Sequence, residues 1–187
     1  SLNADSYYLR GEAKEISQEE KAGCADFVSA CDLGHKEGCE RYDDFCYPES
    51  GYMPYKKYFG EGVHSGTNTL SFDNTNGKYD VLILVINTRS KIKVRSQFIR
   101  KGEELIMEKI PNATFKLKIY EGNDWTYELM EDGITRGGFT NDENYRIPNI
   151  LMPLTGVYPY NSNGLIFNPI DGGSIESEDT DFNEFMR

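Results

Sequence analysis

All four cysteines of this 187-residue chain fall in one stretch, CADFVSACDLGHKEGCERYDDFC, at positions 24, 31, 39 and 46. They are placed symmetrically about residue 35, inside a DLGHKEG segment whose composition suits a tight connection. Cys24, Phe27, Val28 and Cys31 follow the i, i+3, i+4, i+7 spacing of one helix face, and Cys39, Tyr42 and Cys46 repeat it. Seven residues are close to two helical turns, so each helix presents its two sulfurs in line. Ser17-Gln18-Glu19-Glu20 has the form of a capping box that opens the first helix, Leu33-Gly34 supplies its stop, and Pro48 ends the second. Folding the two helices antiparallel about residue 35 pairs Cys31 with Cys39 and Cys24 with Cys46, two rungs of one ladder. Helix axes about 8–10 Å apart bring such cysteines within disulfide reach. Zinc sites favour C-x2–4-C pairs and thioredoxin-type redox centres use C-x-x-C, and neither spacing occurs here. Reduced cysteines in a helical core are the competing reading. Nested disulfides are the expectation, and they imply an oxidising compartment: periplasm, cell surface or outside.

A chain of this length can bury a core without needing disulfides merely to fold. Its acidic balance, Asp+Glu 31 against Lys+Arg 20 and a net charge of −11, repels nucleic acid and anionic membranes, so neither is an expected partner. The longest apolar run, VLILVI at 81–86, has strand length and falls far short of the roughly 20 residues a membrane helix needs, so no membrane insertion is expected. The sequence opens Ser1-Leu2-Asn3-Ala4 without Met or a signal-type apolar core, as expected of a mature or trimmed chain. A lipoprotein signal upstream would fit the same compartment.

From residue 50 the texture changes, which divides the chain into an N-terminal helical extension, 1–49, and a second domain, 50–187. SGYMPYKKYFGEGVHSG is aromatic and glycine-rich without helical period and reads as an ordered linker. Strands follow. Leu70 and Phe72 alternate with polar residues, Asn76-Gly77 is a hairpin signal, and YDVLILVIN (79–87) suits a central strand covered on both faces. Residues 91–100 alternate through Ile92 and Val94, Lys101-Gly102 turns the chain, and 104–110 returns. In 114–120, Phe115, Leu117 and Ile119 face one way, Lys116 and Lys118 the other. Residues 125–130 extend this across a Gly122-Asn123-Asp124 turn, with further short strands at 145–152 and 164–168. The pattern predicts a mainly β protein: an antiparallel β-sandwich, jelly-roll-like, preceded by a small disulfide-stapled helical hairpin.

Two resemblances add to this reading. ACDLGHKEGC (30–39) resembles the turn of cysteine-rich Sel1-like helical hairpins, whose paired cysteines bracket a similar turn, and this supports the Cys31–Cys39 rung. PYKKYFGEG, DVLILVIN, FIRKGEELIMEKIPNATFKLKIYEGNDW and RGGF, within residues 54–139, resemble in their order a β-module of uncharacterised proteins of Gram-negative bacteria. The chain departs from that pattern at Ala113 and Phe115, where the family has Gly and Tyr. The resemblance implies a recurring β-module and no chemistry.

Catalytic motifs are scarce. His35 falls in the helical turn, where solvent exposure is expected, and His64-Ser65 lies in GVHSG, without the G-x-S-x-G of a nucleophile elbow. Carboxylates are plentiful, but none forms a recognisable glycosidase pair. The acidic tail DGGSIESEDTDFNEFM lacks the register of a calcium loop and reads as solvated charge, with Phe182, Phe185 and Met186 docking it onto the body. No cofactor or metal is implied. Tyr 13 and Phe 10 against a single Trp point to the aromatic residues, because a Tyr-rich surface can hold a peptide or glycan. EGNDWTY (121–127) joins a Gly/Asn turn to the one Trp, so Asn123, Asp124, Trp125 and Tyr127 are the candidate ligand residues, with Trp125 and Tyr127 expected at the edge of a shallow groove and core packing as the alternative. The expectation is a non-enzymatic extracytoplasmic binding or structural module whose partner is a protein or glycan. A glycan-binding module is the alternative and an extracellular hydrolase the third.

Overall fold

A computed structural model describes residues 3–17, 21–129, 135–149, 151–154, 162–166 and 177–187. The capping-box residues 18–20, the tail residues 171–176, and parts of the strands expected at 125–130, 145–152 and 164–168 lie outside the described residues. The chain separates into two compact units: 1–48 with 124–140, and 49–123 with 141–187. Residues 124–140, expected in the sandwich, thus group with the N-terminal helices.

Among the described residues the second unit is built on nine strands, two of which run on into the first: β1 Asn68–Asp73, β2 Asp80–Asn87, β3 Lys93–Ile99, β4 Glu104–Ile110, β5 Ala113–Leu129, β6 Thr135–Pro148, β7 Met152–Leu154, β8 Ser162–Ile166 and β9 Ser177–Asp179. They form a three-stranded sheet, β4-β1-β8, and a six-stranded sheet, β3-β2-β5-β6-β9, in which β7 pairs with the start of β5. One core joins the sheets. Leu70, Phe72 and Met107 from the smaller sheet meet Ile83, Val85 and Leu117 from the larger. This is the expected mainly β sandwich. The pairings β1–β4, β2–β3, β2–β5, β5–β7 and β6–β9 are antiparallel, and β8 lies parallel to β1 along its other edge.

The Asn76-Gly77 hairpin does not form between neighbouring strands. Instead β1 pairs with β4 while β2 pairs with β3, so residues 68–110 make one long hairpin bent across both sheets. Asn74 holds the bend. Buried at the corner, its Nδ2 donates to the carbonyls of Tyr79 (2.9 Å) and Arg100 (3.1 Å), and its own carbonyl accepts from the N–H groups of Gly77 and Gly102. A side-chain amide thus satisfies backbone groups that the change of sheet takes out of the ladders. Asn74→Ala takes this donor from the Tyr79 carbonyl and leaves Arg100 O with only the Glu103 N–H, and is expected to cost about 1–3 kcal/mol in denaturant unfolding. A change of only a few tenths would show that the corner holds without it.

β2 is covered on both faces, as its composition requires. Val81, Ile83 and Val85 enter the sandwich core, and Leu82 and Leu84, on the other face, are equally buried. That outer face continues into β5 through Tyr120, the register partner of Leu82, and Lys118, the partner of Leu84. Residues 49–66, with the short helix α4 Lys56–Phe59, act as the expected ordered connection. They line the β3 edge: Gly51 N–H donates to Phe98 O, Phe98 N–H to Tyr52 O, and Val63 N–H to Val94 O. An edge that would otherwise template aggregation is closed in this way.

The first unit contains α1 Ala4–Ile16, α2 Cys24–Asp32, α3 Lys36–Arg41 and a π-helical turn, Tyr42–Cys46. No local pattern in the sequence predicts α1. Asn3 caps it by accepting from Ser6 N–H. α1 approaches α2 closely because Gly11 and Gly23 are small: a Cβ on Gly11 would stand 2.6 Å from the Phe27 ring, and one on Gly23 2.5 Å from the Gly11 carbonyl. Ser17, expected to open a helix, is the C-cap of α1, and α2 begins at Cys24. α2 stops where expected. Gly34 takes a left-handed φ of 86°, and the N–H groups of Gly34 and His35 bond back to Cys31 O and Ala30 O. Both disulfides are present with the expected pairing, Cys24–Cys46 with Cα atoms 5.6 Å apart and Cys31–Cys39 at 4.6 Å. No helix among the described residues is long and apolar enough to cross a membrane.

Candidate functional site

The expected turn at Gly122-Asn123-Asp124 does not end the strand, and β5 runs through it. β5 and β6 each carry an Asn-Asp pair, Asn123-Asp124 and Asn141-Asp142, whose aspartates both sit at a left-handed φ of 54°. Asp tolerates this conformation because its short polar side chain bonds locally. Asn123 Nδ2 donates to Asp142 Oδ2 at 2.8 Å, and Thr140 Oγ1 donates to Asp124 O at 2.9 Å. The paired motif was present in the sequence as two Asn-Asp dipeptides, and each on its own reads as a turn.

Beyond Asp124 the candidate aromatic platform is buried. Trp125 is 0% exposed and Tyr127 5%, so neither lines a shallow groove. Gly137 lies flat against the indole, where a Cβ would come within 2.3 Å of Trp125 Cζ2, and Phe139 meets the ring edge-on at 4.9 Å. Tyr42 in the π-helical turn donates its hydroxyl to Trp125 O, and Tyr127 donates its own to Cys46 O at 2.8 Å. Burial raises the Tyr42 phenol to about 12, so it stays a donor across the physiological range. The pair is core because two helix-borne groups, Tyr42 and the Cys46 carbonyl, meet this strand face. Of the four candidates, Asp124 is exposed, Asn123 half-buried, and Trp125 and Tyr127 buried.

Both histidines contact backbone groups. His35 is not an exposed turn residue: its side chain is 15% exposed, stacks on Tyr8 at 4.5 Å, and caps α3 by accepting from Gly38 N–H through Nδ1. Nε2 then faces Asp5 at 3.5 Å. His64 is exposed with Nε2 at 2.9 Å from Glu61 O, a contact with backbone and not with Ser65. Among the described residues, no group of three or more His, Cys, Asp or Glu side chains is placed to hold a metal ion.

Several buried charges escaped the sequence reading. Asp26, on α2, takes both carboxylate oxygens to Arg10 Nε at 3.0 Å and one to Lys14 at 2.8 Å. Burial pushes its carboxyl up, and the two cations outweigh that and leave it below the usual range. Arg95, on β3, spends its guanidinium on the carbonyls of Val63, Val94 and Glu108, and burial lowers its pKa. Lys118 is buried on the outer face of the six-stranded sheet, under α5 Phe182–Met186. Phe185 of that helix is fully buried against Tyr55, Tyr120 and Tyr145, so the tail docks as expected. Tyr120 and Tyr145 stack at 4.3 Å, and burial first, then Glu143 and Tyr120, raises the Tyr145 phenol.

Comparison with protein-family models, with curated proteins and with solved structures finds no match.

Proposed function

We propose that this chain is a non-enzymatic binding or structural module working in an oxidising extracytoplasmic compartment, the periplasm or the cell surface, as one part of a surface assembly. The observation that carries the reading is the pair of disulfides, Cys24–Cys46 and Cys31–Cys39, which persist where thiols are not kept reduced. The acidic charge of −11 supports a protein or neutral partner over nucleic acid. His64 and His35, tied to backbone groups, support a role other than nucleophilic catalysis. The glycan-binding alternative loses its best support, since Trp125 and Tyr127 are buried.

Covalent cross-linking on intact cells tests the reading, alongside a glycan array and a panel of ester, peptide and glycoside substrates. A saturable protein neighbour and no turnover are expected. Hydrolysis abolished by His64→Ala or Ser65→Ala would overturn it, and selective array binding would move the glycan alternative ahead.

A further inference from the structure

Residues 177–187 meet the rest of their unit through three kinds of contact that together have the form of a bound peptide. The backbone of β9 adds to the free edge of β6, pairing Ser177, Glu178 and Asp179 with Pro148, Ile147 and Arg146, and Thr180 N–H continues to Tyr145 O at 2.9 Å. This is strand addition, in which backbone bonds give affinity and pockets give specificity. The pocket is aromatic: Phe185 sits among Tyr55, Tyr120 and Tyr145 at centroid distances of 6.4, 5.8 and 5.8 Å, and Phe182 meets Tyr145 at 6.1 Å.

The third contact is ionic. The Lys118 side chain is 2% exposed, and its ammonium donates to Glu184 O and reaches Glu184 Oε1 at 3.4 Å and Phe185 O at 3.5 Å. Each of these acceptors belongs to α5. A buried cation whose acceptors all come from one short segment is left uncompensated when that segment departs. An occupant must therefore bring carbonyls or a carboxylate to this point, and the C-terminal end of a helix supplies them along with the negative end of its dipole. Lys93 adds a bond to Arg187 O at 2.8 Å. A five-residue helix is too short to persist by itself, so α5 takes its shape from the groove, aided by Asp181 as N-cap.

We propose that this outer sheet face is a recognition groove for short acidic Phe-x-x-Phe segments, that residues 177–187 occupy it within the chain, and that the same segment of a second copy is its partner between chains. The inference rests on the reading of the protein as a binding module and gives that module a site and a ligand class. A second copy supplies a segment already shown to fit, because exchange reproduces the same contacts, and such exchange is a low-cost route to association. Within one chain the segment holds the groove at high effective concentration, so exchange requires its release.

The test titrates a fluorescent peptide of residues 177–187 against the full chain and against two variants. Phe185→Ala empties the aromatic pocket. Glu184→Lys sets a like charge against Lys118 from the exposed side of α5 and leaves the groove itself intact. Both variants are expected to bind the peptide at least tenfold more tightly than the wild-type chain, and a peptide carrying Phe185→Ala is expected to bind none of them. Mixing the Glu184→Lys chain, with its groove vacated, and a Lys118→Met chain, with its segment released, should give a 1:1 dimer by sedimentation that neither gives alone. Equal affinity for wild type and both variants, or binding indifferent to Phe185 of the peptide, would overturn the groove. A mixture that stays monomeric would overturn the second copy as partner. Either failure leaves the extracytoplasmic reading to its own cross-linking test.

Discussion

Trp125→Ala is expected to destabilise the first unit by about 3–5 kcal/mol, the range for removing a fully buried large aromatic side chain. The indole is enclosed by Gly137 against its face and Phe139 at its edge, and Tyr127 packs edge-on at 6.3 Å. None of these neighbours can fill the void: Gly137 has no side chain, and the two rings are fixed by their own strands. The complementary change acts through the same contact. Gly137→Ala would drive a methyl group into the indole, so it should destabilise too, although it removes no atoms. Thermal unfolding followed by far-ultraviolet circular dichroism reads both variants, since Trp125→Ala removes the single Trp that a near-ultraviolet signal would use. A Trp125→Ala chain that melted within a degree or two of wild type would return the residue to the surface role its sequence setting suggested.

Loss of the Cys24–Cys46 bridge should be nearly as costly. The bridge closes a loop with a sequence separation of 22, for which the chain-entropy relation gives roughly 3.4 kcal/mol, against about 2.5 kcal/mol for the Cys31–Cys39 loop with separation 8. The outer bridge also ends beside the carbonyl that accepts the Tyr127 hydroxyl, so releasing Cys46 loosens a contact of the 124–140 hairpin. Replacing both Cys24 and Cys46 by Ala should therefore lower stability more than replacing Cys31 and Cys39. The reverse order in denaturant unfolding would contradict the role given to the outer bridge.

The features legible in the sequence were those with a local period. The cysteine spacing carries the helical repeat, and the alternation of Phe115, Leu117 and Ile119 carries the strand repeat, and each placed its side chains on the correct face. Where a residue's environment is made by a distant segment, local pattern misled. Gly11 looks like a helix breaker, yet it is the point where the Phe27 ring needs room. The helix around it also leaves Leu9 and Ile16 exposed, which blurs its apolar face. Asn76-Gly77 turns the chain as its composition demands, but the strands it joins enter different sheets, a choice made by the β1–β4 pairing. Trp125 and Tyr127 are core because the helical region carries Tyr42 to the first and Cys46 to the second across 83 and 81 residues of sequence, which no window around EGNDWTY contains. Lys118 alternates as a strand residue should, and only the docked segment 182–186 makes its face an interior one.

The compartment, and with it the proposed role, depends on the state of four sulfur atoms. Non-reducing peptide mapping of protein recovered from its native cells, with free thiols blocked at lysis, measures that state directly. Cys24 joined to Cys46 and Cys31 joined to Cys39, with no alkylated cysteine, is the predicted result. Alkylation at all four positions, or a peptide joining Cys24 to Cys31, would contradict it.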